Sequence, residues 1–99
     1  MLTGRQIEQL QTALLDAFTT RDALRMLTRI ALEQNLDAIA GSDNLRVLVF
    51  NLITWAEQTG VVAQLVAGAC RQNTGNARLR DVQRAAQGWG IAAAPTAVS

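Results

Sequence analysis

The chain has no histidine, no lysine and no tyrosine, and only one cysteine, one proline and four aromatic residues in 99. Without the first three it lacks the commonest general base, the Schiff-base amine and the phenolic acid together. Cys70 therefore has no histidine partner, and a place on an apolar helix face would raise its pKa, so it reads as a small core residue rather than a nucleophile. One cysteine and no histidine leave only carboxylates for a metal, and the acidic residues do not follow an EF-hand spacing. Neither a metal nor another cofactor is expected, and the chain is not expected to be an enzyme. A single cysteine also forms no internal disulfide, no signal-peptide pattern opens the chain, and no apolar run approaches the ~18 residues that suggest a membrane span. Cytoplasmic localisation without a membrane partner is the expectation. Nine arginines against eight carboxylates give a formal charge of +1, so no global field draws the chain to nucleic acid, and electrostatic recognition has to be local.

What is present favours helices. Nearly half of the residues are apolar, mostly Ala and Leu, which with Gln and Arg are good helix formers. The one proline lies near the C-terminus. An all-α domain follows, a compact bundle of five to six short helices with a single core. The stretch from Asn44 to Gly60 organises it. At 100° per residue Leu48, Val49, Leu52, Ile53, Trp55 and Ala56 join Leu45 in one apolar arc, opposite Arg46, Asn51, Thr54, Glu57 and Gln58. Val47 and Phe50 interrupt that polar side, either because a neighbouring helix covers them or because they form an exposed apolar contact. VLVF could also open a strand, but Ser42, Asp43 and Asn44 are N-cap types, Gly60 suits a C′ position about four turns later, and no second strand-like run exists to pair with it.

Before this helix, Thr3-x-x-Gln6 is a capping-box pattern followed by Ile7, Leu10, Ala13, Leu14, Ala17 and Phe18 at helical spacing. Thr19 or Thr20 caps a second helix whose inward face is expected to carry Leu24, Leu27, Ile30 and Ala31, with Arg21, Arg25 and Arg29 along one side. Glu33 to Asn35 reads as a turn and Leu36 with Ile39 as a short third helix ended by Gly41. After the central helix, Val62, Leu65, Val66, Ala69 and Cys70 mark a fifth helix. Asn73-Thr74-Gly75-Asn76 is a turn by composition, with Asn76 able to cap a sixth helix carrying Leu79, Val82, Ala85 and Ala86. Neither glycine-containing turn, Gly41-Ser42 or Thr74-Gly75-Asn76, is part of a P-loop or a GxGxxG element. Residues 1–86 are read as the domain and 87–99 as a linker or tail, where Trp89 either packs back or is exposed.

These landmarks carry a resemblance. Ala13-Leu14-x-x-Ala17-Phe18-Thr19-Thr20-Arg21-Asp22-Ala23-Leu24, then Asn35-Leu36-Asp37 with Ile39, then Val49-Phe50-x-Leu52-Ile53-x-Trp55-Ala56-Glu57-x-x-Gly60, and Asn73-x-Gly75-Asn76-x-x-Leu79 resemble in order the bacterial effector-associated domains, type one. The match runs from about Leu2 to Ala86. It departs at Thr74, where that family often has proline. The resemblance implies a death-domain-like helical adaptor without catalytic residues. Such domains occur in bacterial conflict systems fused to effectors, and they recruit partners carrying a domain of the same type. A homo-oligomer, up to a filament, is the implied assembly.

Mechanism then becomes a matter of surfaces. The expected interface pairs the basic edge of Arg21, Arg25 and Arg29 with acidic groups among Glu33, Asp37 and Glu57, around an apolar centre of Val47 and Phe50. Arg78, Arg80 and Arg84 form a second basic set. The alternative is a small nucleic-acid-binding module that lays the helix-two arginines on phosphates, which a net charge near zero and the absence of an aromatic row disfavour.

Overall fold

A computed structural model describes residues 2–41 and 43–89. Among these residues the chain forms six helices and no strand: α1 (Gly4–Ala17), α2 (Arg21–Leu32), α3 (Leu36–Ala40), α4 (Leu45–Thr59), α5 (Val62–Gln72) and α6 (Ala77–Ala86). The punctuation is mostly that of the sequence. Thr3 and Gln6 close a reciprocal capping box on α1. Thr20, Asn35, Asn44 and Asn76 cap the N-termini of α2, α3, α4 and α6, each taking up backbone N–H groups that the first helical turn leaves unpaired. Gly60 ends α4 in the left-handed conformation with φ 76°. Residue 42 and residues 90–99 lie outside the described residues, and with them the N-cap option at Ser42 and most of the expected tail.

The helices close into a ring. α1 packs on α4 and α6, α4 on α3, α3 on α2, α2 on α5 and α5 on α6, while α4 and α5 also touch each other across the middle. Leu48, Val49, Leu52, Ile53 and Ala56 of α4 are fully buried there, beside Leu65 and Ala69 of α5 and Leu10, Leu14, Leu24, Leu27 and Leu79 from the other helices. Burying aliphatic side chains of this size contributes about 1.5–3 kcal/mol each before chain entropy is set against it. At the α2–α5 crossing the two backbones come close together. A Cβ on Gly68 would overlap the Ala31 Cβ outright and lie 3.4 Å from the Ala31 Cα.

Ile30 departs from expectation. Its spacing predicts the inward face of α2, but it is 61% exposed. α5 meets α2 through Gly68 at Ala31 and Leu27, and Thr28 instead of Ile30 completes the inward face. The Thr28 hydroxyl is satisfied by donating to the Leu24 carbonyl at 2.8 Å. Trp89, just past α6, packs against the core.

Two polar ties hold the ends of the ring. The Leu2 N–H donates to the Glu57 carboxylate, which fixes the buried Leu2 side chain against α4. The α5–α6 turn is bound to the end of α1: Asn73 Nδ2 donates to the Ala17 carbonyl at 3.1 Å, and Asn76 Nδ2 to Asp16 Oδ2 at 3.0 Å. Each Asn of the Asn-x-Gly-Asn turn thus also serves a tertiary contact.

Candidate functional site

The α2–α3–α4 side brings most of the interface residues expected from sequence onto three adjacent helices. On α2 the buried positions Leu24, Leu27 and Thr28 leave Arg25 and Arg29 exposed and Arg21 half-buried. Arg25 sits at the centre of an in-chain cluster. Its Nη1 lies 3.0 Å from Asp22 Oδ1, its Nη2 lies 3.0 Å from Asp37 Oδ2, and its Nε donates to that same oxygen at 3.2 Å. Asp37 is therefore joined to the basic edge within one molecule instead of standing apart as an acidic surface. Arg21 and Arg29 form no ion pair among the described residues. Arg29 and Arg25 line a shallow open cleft of about 260 Å³ with Gln34, Asn35, Leu36 and Asp37.

Glu33 closes α2 with φ 55°, a left-handed conformation that costs a non-glycine residue about 1–2 kcal/mol. Its N–H is returned to the Thr28 carbonyl, and its carboxylate stays in water. Glu57 is placed differently from the other acidic candidates, because its carboxylate accepts the Leu2 N–H on the α1 side of α4.

Val47 and Phe50, which interrupt the polar side of α4, are not buried under a neighbour. No helix covers them, and each is 45% exposed on the outward face of α4. Two further apolar residues that the sequence pattern does not single out as outward-facing are exposed, Met26 at 60% and Ile30 at 61%. They stand four apart on α2, and the signal for Met26 was its place outside the inward arc. A second, wider groove of about 360 Å³ runs between α1 and α6, where Arg5, Glu8, Arg78 and Asp81 alternate in sign over a floor that includes Ala13 and Val82.

Cys70 is half-buried with its Sγ 3.5 Å from the Leu79 carbonyl, and desolvation pushes its thiol pKa up, which favours the unreactive protonated form. Among the described residues no group of three or more Cys, Asp or Glu side chains could hold a metal ion, and no helix is long and apolar enough to cross a membrane.

The sequence model of the family described as Effector-associated domain 1 fits residues 1–87. No curated protein and no solved structure matches the chain.

Proposed function

Because the chain belongs to the effector-associated domain 1 family, we propose that it is a non-enzymatic adaptor that recruits or oligomerises effectors of a bacterial conflict or immune system. It does so by binding domains of the same type, in copies of itself or in partner proteins. The observation that supports this reading best is the exposure of Val47 and Phe50 on a helix whose opposite face is fully buried. Exposed ion pairs contribute only about 0–1 kcal/mol each, so a specific contact needs an apolar centre that loses its water. Val47 and Phe50 supply one, and the charged groups around α2 and α3 set orientation and partner choice.

Within that surface the residues divide by role. Arg21 and Arg29 offer cations to a partner. Arg25 holds Asp22 and Asp37 in place, and the two carboxylates outweigh its single charge, so the middle of the edge is not cationic. Glu33 offers an exposed carboxylate, while Glu57 secures the N-terminal residues against α4. Arg29→Glu is the cleaner probe of the edge, since Arg25→Glu would also place a third carboxylate beside Asp22 and Asp37. Light scattering across protein concentration reads the result. Arg29→Glu should weaken self-association with the thermal transition unchanged, and Phe50→Ser should weaken it further. Equal association by the parent, Arg29→Glu and Phe50→Ser would exclude this surface.

A further inference from the structure

Charge is unevenly divided along the chain. Up to Gly60 there are five arginines and seven acidic side chains; beyond it there are four arginines and one acidic side chain, Asp81. The fold gathers most of that second set on the outside of the α5–α6 pair. Cys70 Sγ lies 3.5 Å from the Leu79 carbonyl, so the arginines that follow these two residues, Arg71 and Arg80, stand beside the place where the helices touch. Both are exposed. On α6 the buried row of Leu79, Val82 and Ala86 leaves Arg80, Arg84 and Gln87 exposed at four- and three-residue intervals, one stripe along the helix.

No carboxylate answers this stripe. Arg71, Arg80 and Arg84 form no ion pair among the described residues. Asp81 and Arg78 turn to the other flank of α6, where they line the groove against α1, and Arg78 lies 3.8 Å from Asp16. Apolar surface is missing as well. The large apolar residues exposed among the described residues are Met26, Ile30, Val47 and Phe50, all on α2 and α4, and Trp89 packs against the core.

We propose that this outer face of α5 and α6 binds the phosphate backbone of a nucleic acid through Arg71, Arg80 and Arg84, without reading its bases. A protein partner would need an apolar centre here, because exposed ion pairs alone add little. A lipid surface would need apolar or aromatic side chains to enter it. A nucleic acid needs neither, since neutralising its phosphates releases condensed counterions and so drives binding by charge alone. Guanidinium groups suit it, because each can donate two parallel hydrogen bonds to one phosphate. With no exposed aromatic row for bases to stack on, the face carries no means of reading sequence. The overall charge of +1 gives no long-range steering, so the attraction is confined to this patch. It shares no residue with the adaptor surface on α2, α3 and α4 and is tested separately from it.

The test is fluorescence anisotropy of the whole chain added to labelled duplex DNA of random sequence, and to single-stranded RNA of the same length, between about 50 and 200 mM salt. Three neutralised phosphates on duplex DNA give a slope of log K against log salt of about −2.7, a fall of about 40-fold in affinity across that range. Arg80→Gln/Arg84→Gln, with folding verified by circular dichroism, should bring the slope to about −0.9, and Arg71→Gln should bring it to about −1.8. Arg78→Gln, on the opposite flank, should leave it unchanged. Binding to both nucleic acids, or to one of them, with this order among the variants supports the proposal and identifies the ligand. Absence of binding at about 50 mM salt would overturn it. So would a loss in Arg78→Gln or in Arg21→Gln/Arg29→Gln equal to that in Arg80→Gln/Arg84→Gln, which would move the contact to another face. Tighter binding to polyglutamate or to phosphatidylserine vesicles than to either nucleic acid would also overturn it, in favour of an acidic protein or a lipid surface.

Discussion

The α4–α5 contact through the middle of the ring and the α2–α3 junction on its rim are held by different forces. In the middle, Leu48, Val49, Leu52, Ile53 and Ala56 meet α5 and the surrounding helices with no exposed area. The chain is reversed between α4 and α5 by a glycine suited to its left-handed conformation. At the rim, a glutamate occupies the same kind of backbone position without that suitability, and the junction is fastened by Arg25 bridging two half-to-largely exposed carboxylates. Packing is worth several times what exposed ion pairs are. The middle therefore carries the stability, and the rim is free to carry charge and apolar surface for another molecule.

The largest effect that would break this contrast is expected at Leu52. Leu52→Ala leaves a cavity in the fully buried middle and should lower unfolding free energy by about 2–5 kcal/mol in a denaturant titration; a loss under about half a kcal/mol would place the core elsewhere. Next comes Gly68. In an open helix Gly→Ala gains about 1 kcal/mol of helix propensity, but here the new methyl meets Ala31. Gly68→Ala should instead cost about 1–3 kcal/mol through overpacking. Adding Ala31→Gly should recover part of that loss, and additive costs in the double-mutant cycle would deny the contact. The smallest change is at the rim. Glu33→Gly relieves a left-handed non-glycine residue and should raise stability by about 0.5–1 kcal/mol, while its lost carboxylate weakens association. A variant that is more stable but associates less well would separate the two roles in a single residue.

Local chemistry was legible in the sequence wherever it was confined to neighbouring residues. Thr3-x-x-Gln6, Asn44, Gly60 and Asn76 act on backbone groups within a few positions, and each cap is found where its residue type and spacing put it. What depends on a second helix was not legible. Ile30 falls on the apolar arc of α2 by spacing alone, yet α5 meets α2 at Ala31 and Leu27 through Gly68 and leaves Ile30 exposed. Asp37 looked like part of a separate acidic patch because its partner Arg25 lies twelve residues away on another helix. The same holds for Asn73 and Asn76, readable as turn residues but not as the ties that reach Ala17 and Asp16. Of the candidate site, exposure of Val47 and Phe50 was readable only as a break in the polar side of α4. Met26 gave a fainter signal, because one exposed apolar residue on a helix surface is ordinary.

The proposed function requires this domain to associate with its own kind through a surface where charge sets orientation. The most direct measurement is the weight-average mass of the whole chain by light scattering, followed over a wide concentration range at 0.1 M and 1 M salt. Between those conditions the Debye length falls from about 10 Å to about 3 Å. The mass should rise with concentration at the lower salt and fall back towards one chain at the higher. A mass of one chain at every concentration and both salts, or an association indifferent to salt, would contradict it.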